Sequence, residues 1–541
     1  MNPATVIRKA WRRGCHTSAL QGYREGQQTI EVKYPAQFPV TRRPLIHDVG
    51  MTAAAEAIVL ATSLLVVSLF GRLLGAVALA EYLLFRRVAA GLQSGVNLGL
   101  SVAVPRYVGL TVNNPSGKPE AYFLAALTCL TTFATLLASL LIVARQLFAH
   151  WLFGSPQKAY LVLPLSLVLI GLAVQAAVYG YYRGILAMGR ANALEVCNFA
   201  LIPMATVILL YRSRSVALIL SVIGCATLFC ACLFAVPIFS RPLKSKPAQI
   251  VPLLVELLRY GIGRVPGDFG YAALFAIGPI IAAHFIPLAS VSYLLLGLSM
   301  LMAVGYCTTP LGLVLLSRFS MMVGQGRLQE VHASLEHLMT STLALSVFAS
   351  LQLAVFADFI VRIWVGPRFL EGVFIIRLLL LAIPPYVFYV AMRSSIDAAS
   401  AKPYNAGNVI VALAAYIGLA FLAVKVLPTN LALNGIALSF LGAVLSLGAL
   451  TARSVRQLYN LPIPWTRCAS SIFVGIPLGV AGVLFRWALS FRTGPVEVVV
   501  FELAMSALFL GVLIRLDPPW LGYVWKIVLA GRRQRFAVKT T

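Results

Sequence analysis

Arg264 and Asp268 stand four residues apart in a stretch that is otherwise apolar, glycine and proline. A charge at the centre of a membrane span costs roughly 2.5–3.5 kcal/mol on insertion scales, so such a residue faces a partner or a watery cavity. Four residues is about one helical turn, which puts both groups on one face. Two readings follow: a structural ion pair, or a ligand site in which the planar guanidinium fork holds phosphate oxygens. Gly261, Gly263, Pro266, Gly267 and Gly270 surround the pair and predict a bent helix with backbone groups open to the cavity. Arg86 and Arg87 open an earlier apolar stretch and are followed by Gln93, Ser94 and Asn97. The two arginines either snorkel to an interface or enter a cleft. Gln93 and Asn97 share a face and suit either sugar hydroxyls or helix packing. Glu56 is a lone acid among alanines, open to three readings: a coupling-ion site (as is Asp268), a partner for Arg264, or a group near the inner surface.

A second set of charges belongs to a long-range echo. Tyr179 to Arg190 reads YGYYRGILAMGR and Tyr389 to Lys402 reads YVAMRSSIDAASAK, about 210 residues later. Each pairs a span-ending Arg (Arg183, Arg393) with a second base (Arg190, Lys402). Arg393 and Asp397 also repeat the four-residue spacing, and Glu195 begins the span after Arg190. These inner-end charges read as structural or topology anchors. Upstream, Phe148-Ala149-His150 leading to Phe153-Gly154-Ser155-Pro156 matches Phe356-Ala357-Asp358 leading to Val365-Gly366-Pro367. Internal repeats in a polytopic chain point to carriers, which move one half against the other around a central site.

The elements that position these residues are membrane helices. Only 11% of the chain is charged and 60% is hydrophobic, far from the roughly 25% charged residues of soluble domains. Crossing a hydrocarbon core about 30 Å thick takes about 20 apolar residues. Fourteen such stretches lie near 51–71, 84–104, 121–144, 159–182, 191–211, 215–238, 256–284, 288–316, 334–357, 370–394, 404–426, 431–451, 468–487 and 496–515. The predicted class is an all-α integral membrane protein with two pseudo-symmetric six-helix lobes plus two extra helices.

The expected order is a cytoplasmic, disordered arm (1–50), a first lobe (51–238), a basic linker (239–255), a second lobe (256–455), spans thirteen and fourteen (456–515) and a basic tail (516–541). Six spans per lobe make the repeats parallel. The formal charge of +26 sits in tails and short links, which argues against nucleic acid and for topology signals facing an anionic leaflet. Both termini are placed in the cytoplasm. Cysteines fall mostly inside spans without a CxxC pair, and His332 and His337 are poorly spaced for one face, so no disulfide framework, metal or cofactor is expected. No GxxxxGK[ST] sequence and no long external loop is present, which argues against ATP hydrolysis and against a membrane-embedded polymerase or glycosyltransferase.

Leu257 to Gly270 (LLRYGIGRVPGDFG), Ile363 to Leu378 (IWVGPRFLEGVFIIRL), Leu69 to Gly75 (LFGRLLG) and Gly95 to Tyr107 (GVNLGLSVAVPRY) together resemble the polysaccharide-export flippases, Wzx type, of the multidrug/oligosaccharidyl-lipid/polysaccharide exporter superfamily. The resemblance covers roughly residues 50–515. It implies a bacterial inner-membrane carrier, not an enzyme, with fourteen helices around a central cavity. The implied cargo is an undecaprenyl-pyrophosphate-linked oligosaccharide of O-antigen, exopolysaccharide or capsule, and the implied partners are membrane lipids, a polysaccharide polymerase and chain-length proteins. A lipid II flippase and a cation-coupled drug exporter are the alternatives within the superfamily. The long amino-terminal arm departs from the family's usual short start.

Overall fold

The computed structural model describes residues 45–112, 119–240, 250–324, 328–400, 402–461, 465–488 and 494–516. Most of the expected arm and tail, and the basic core of the linker with Arg241, Lys244 and Lys246, lie outside the described residues.

Each of the fourteen apolar stretches is helical. In the first half, α1 (Leu45–Leu69) runs into a π turn (Phe70–Leu74), followed by α2 (Ala76–Val96), α3 (Leu100–Thr111), α4 (Pro119–Val143) and the short α5 (Arg145–Phe153). A 3-10 turn (Pro156–Leu161) leads into α6 (Val162–Gly184); α7 (Met188–Val196), a π turn (Cys197–Leu201) and α8 (Ile202–Leu210) follow, then α9 (Val216–Phe239). The second half contains α10 (Ile250–Gly261), a 3-10 turn (Ile262–Arg264), α11 (Val265–Phe285), α12 (Leu288–Gly324), α13 (Leu328–Val355) and the short α14 (Ala357–Trp364). It continues with a 3-10 turn (Pro367–Gly372), α15 (Val373–Leu380), α16 (Ile383–Ala399), α17 (Tyr404–Val426), α18 (Thr429–Tyr459), α19 (Trp465–Ala488) and α20 (Pro495–Leu516). Among the described residues 11 helices are long and apolar enough to cross a membrane, or 13 when the bent pairs α2–α3 (49°) and α15–α16 (46°) each count as one span. The protein is a multi-pass, all-helical membrane protein.

The hydropathy-silent details follow local chemistry. The matched loops fold alike: α5 ends at Gly154 (φ +79°) and α14 at Gly366 (φ +106°), and Pro156 and Pro367 each open a 3-10 turn. Left-handed backbone at a helix end favours Gly, and Pro suits a first helical position. The glycines of the seventh span behave differently from expectation. Only Gly261 to Arg264 interrupts the helix; Gly267 and Gly270 pack α11 onto Ala406 and Val409 of α17. Small residues there let two membrane helices approach closely, so they are packing glycines rather than kinks.

Helix α6 packs on α2, α3, α4 and α9, and α16 packs on α12, α13 and α18. One end of the bundle is closed by contacts between the halves. Arg72, after α1, donates to the carbonyls of Ile363 and Trp364 (3.2 Å to Trp364), and Trp364 Nε1 donates to Leu64 O at 2.8 Å. These are the unsatisfied last carbonyls of α14, which cations cap well. The counterpart contact joins α5 to α11, where Gly154 lies so close to Ala283 that an added Cβ would sit 2.1 Å from its carbonyl oxygen.

Helix α19 is tied to α14 by one charge cluster. Arg486 of α19, only 4% exposed, donates to the Asp358 carboxylate of α14 and to Val355 O at 2.7 Å, while Arg377 of α15 reaches the same carboxylate at 3.2 Å. Burial alone would raise the Asp358 carboxyl, but the hydrogen bonds and charge of Arg486, aided by Arg377, hold it below its ordinary value. A depressed folded-state pKa gives stability that is present above the unfolded value, about 3.9, and lost as pH falls through the folded one. Arg486→Met should lower stability by on the order of 1–3 kcal/mol, since it leaves the half-buried carboxylate with only the more exposed Arg377 as partner. Melting of the detergent-solubilised protein should show a gap from wild type at pH 7 that shrinks below pH 4; an unchanged gap at both values would contradict this.

Candidate functional site

Three residues singled out from sequence, Ser94, Asn97 and Asp268, line one cavity. It has a volume of about 310 Å³ and is bounded by Ser94, Asn97, Ser101 and Val102 from α2–α3 and by Asp268, Tyr271 and Ala272 from α11. The volume is at the low end of small-ligand sites (~300–1,000 Å³). The helical break at Leu98 (φ +48°) and Gly99 (φ +71°) makes the α2–α3 wall. Gly99 abuts Gly261 so tightly that a Cβ on Gly99 would lie 2.1 Å from Gly261 O, and one on Gly261 would lie 2.6 Å from Leu98 O. The interruptions of the second and seventh spans therefore meet backbone to backbone. Gln93 Nε2 donates to Asn97 Oδ1 at 2.8 Å, while Gln93 Oε1 is buried without a partner.

Asp268 does not pair with Arg264. It accepts a hydrogen bond from Arg393 Nη2 at 3.2 Å, across from α16, with side chains 34% and 41% exposed. Asp397 instead accepts from Asn405 Nδ2 at 2.8 Å, and the same nitrogen reaches Arg393 O at 3.0 Å. Arg393, expected as a topology anchor, thus pairs with an acid that lines the cavity. Lys402, beyond α16, is exposed, with its backbone N–H on Ser400 Oγ.

A polar path continues from the cavity. Tyr271 and Tyr386 hydroxyls are 2.7 Å apart, and Tyr386, Tyr271 and Tyr306 lie within electrostatic reach of Arg87. Arg87 Nη2 donates to Ser299 Oγ at 3.1 Å and its Nη1 contacts Met302 Sδ, leaving Nε buried and unpartnered. Arg86 turns away, exposed, to Ser63 Oγ at 2.8 Å. The adjacent arginines therefore part company: one enters the interface between α2 and α12 and the other does not.

Arg264 lies one turn before Asp268 and is exposed, 4.9 Å over the Tyr260 ring with Nη2 3.3 Å from the Tyr260 hydroxyl. Arg106, which sequence reasoning did not single out, joins it from α3, 4.6 Å from the same ring and 3.0 Å from the same hydroxyl. Only the PRY of the α3 motif hinted at Arg106.

The first half holds a second charge cluster. Glu56 (α1) and Glu195 (α7) both feel Arg183, Tyr179 donates to Glu195 at 3.0 Å, and Arg183 lies 5.5 Å over the Tyr179 ring. Glu56 thus meets Arg183 rather than Arg264. Arg190 is exposed, 5.8 Å from the Tyr182 ring. The echo read in sequence is an echo of chemistry. In each half an Arg four residues after a Tyr, ending the fourth or tenth span, faces an acid from the first or seventh span. Among the described residues no group of three or more His, Cys, Asp or Glu could hold a metal.

The fold is like that of the lipid II flippase MurJ and of MATE transporters. The lipid II flippase MurJ, in an inward closed conformation, matches with a TM-score of 0.65 at 15% identity, over 86% of this chain and 98% of that one. An inward-facing multidrug-resistance MATE transporter of the MOP superfamily matches with a TM-score of 0.61 at 14% identity, over 75% and 94%. The eukaryotic MATE transporter AtDTX14 matches at 0.57 and 14%, over 80% and 98%. No family model matches the chain, and no curated protein matches it.

Proposed function

We propose that the chain is a flippase for an anionic lipid-linked saccharide, with undecaprenyl-pyrophosphate-linked oligosaccharide as cargo. The observation that carries this reading is the cavity lined by Asn97, Ser94 and Asp268, with cationic Arg393 paired to the lining Asp268 and Arg87 further along. No bond is made or broken in flipping. The protein lowers the cost of bringing a pyrophosphate and a polar glycan through hydrocarbon, and guanidinium forks, amides and hydroxyls do this while the lipid tail stays in the bilayer. The two six-span groups, 51–238 and 256–455, alternate access in a bacterial inner membrane with both termini inside. Arg264 and Arg106 sit one turn from the cavity lining and receive the head group first. Glu56 and Asp268 are the acids available for ion coupling. A polysaccharide polymerase and chain-length proteins would take up the product.

A lipid II cargo is the second reading, favoured by the fold shared over 98% of the lipid II flippase chain. Two complementation backgrounds separate them. The chain should restore surface polysaccharide in a strain lacking its polysaccharide flippase, and Arg87→Ala, at normal membrane level, should cut that output at least tenfold, about 1.4 kcal/mol of lost stabilisation. Rescue of a lipid II flippase-depleted strain alone would move the assignment to the second reading. Rescue of neither would overturn both.

A further inference from the structure

We infer that His150 and His284 form a bridging site for a divalent transition-metal ion, Zn²⁺ by its chemistry, that locks the closed seam between the halves. His150 lies in the last turn of α5 and is exposed; His284 lies in the last turn of α11 and is half-buried. They are 134 residues apart in sequence, yet their ring centroids are 5.3 Å apart, at 74° between planes. A Zn–N bond of about 2.0–2.1 Å puts the metal roughly 3.2 Å from each ring centre, so two imidazoles on one tetrahedral ion have centroids about 5.2 Å apart. The observed centroid separation matches that spacing.

Two further features fit. His284 Nδ1 is 2.8 Å from Ile280 O. A carbonyl only accepts, so Nδ1 carries the proton and Nε2 keeps its lone pair free. A metal-ligating histidine is oriented in this way, by donating its other nitrogen to a carbonyl. Rigid backing comes from the Gly154–Ala283 approach, which fixes α5 against α11 immediately beside both rings. The neighbouring Lys158 is occupied by Phe153 O at 2.9 Å and sits within reach of Glu81, so its charge is partly offset there. Imidazole pairs favour Zn²⁺, Cu²⁺ or Ni²⁺ over Mg²⁺ or Ca²⁺. With water completing the coordination, the ion would tie α5 of the first half to α11 of the second. Any cycle that parts this seam would then stall while the ion is bound.

The geometry does not depend on the cargo, and the test separates the two. Zn²⁺ alone is titrated calorimetrically into the detergent-purified full chain, into His150→Ala and into His284→Ala, with melting temperature recorded beside each titration. The expected result is a binding event in the low-micromolar range that raises the melting temperature and weakens at least tenfold in both variants. An event that survives in either variant belongs to other groups, such as His332, His337 or the cysteines, and overturns the site, as does no event in the wild type. A second arm measures leaflet exchange in proteoliposomes with Zn²⁺ and then with EDTA. Zn²⁺ should slow exchange reversibly in wild type and leave His150→Ala unaffected. Equal slowing of wild type and variant would overturn the lock. Absent exchange in wild type, with the calorimetric event intact, would count against the flippase reading alone.

Discussion

Arg393→Ala should reduce leaflet exchange of the lipid-linked saccharide at least tenfold, and the double variant Arg393→Ala with Asp268→Asn should recover part of the loss. Arg393 holds Asp268 at 3.2 Å on the cavity wall. Removing the guanidinium alone leaves a carboxylate facing an incoming pyrophosphate. At the effective dielectric of a partly exposed site, two unit charges about 4 Å apart interact by about 4 kcal/mol, so the stranded acid repels the cargo strongly. Neutralising Asp268 as well removes that repulsion without restoring the cation, hence recovery that is partial. The coupling should be on the order of 1–3 kcal/mol in a double-mutant cycle. Arg393→Lys keeps the charge but loses the bidentate fork, and should fall between wild type and Arg393→Ala. Simple additivity would contradict a coupling between Arg393 and Asp268 in the transport step.

Gly99→Ala should be among the most damaging small substitutions in the described residues. Its Cβ would stand 2.1 Å from Gly261 O, a backbone atom that cannot swing aside. The residue also has φ +71°, where an L side chain costs about 1–2 kcal/mol. Overpacking adds roughly 1–3 kcal/mol. Gly261→Ala meets Leu98 O at 2.6 Å, without the dihedral penalty, and should be milder. Gly263→Ala has nothing within 4 Å and is the control. Melting temperature and membrane yield should fall in the order Gly263→Ala, Gly261→Ala, Gly99→Ala. Equal behaviour of all three would contradict a backbone contact between the two interrupted spans.

Much of the architecture is legible in sequence because membrane helices announce themselves by length and hydropathy. The loop match around Gly154 and Gly366 carried real backbone information, since each glycine ends a short helix in left-handed geometry before a proline. The pairing of charges was less legible. Four-residue spacing put Arg264 beside Asp268, but the turn at Ile262–Arg264 lies between the helices and rotates Arg264 toward Tyr260 and Arg106. The partner of Asp268 lies 125 residues away, and neither periodicity nor composition encodes such a contact. Arg86 and Arg87 look equivalent as a dipeptide, yet neighbours on a helix point about 100° apart, so one faces α12 and the other α1. Sequence spacing likewise gave no sign that His150 and His284, 134 residues apart, would meet.

The central claim is that this chain moves a lipid-linked pyrophosphoryl saccharide between leaflets. The most direct measurement reconstitutes the purified protein in liposomes with a fluorescent undecaprenyl-pyrophosphate oligosaccharide and follows leaflet exchange. Exchange well above that of empty liposomes, cut at least tenfold by Arg87→Ala or Arg393→Ala, is the expected result. Exchange no faster than in empty liposomes across several glycans, with and without an ion gradient, would contradict it.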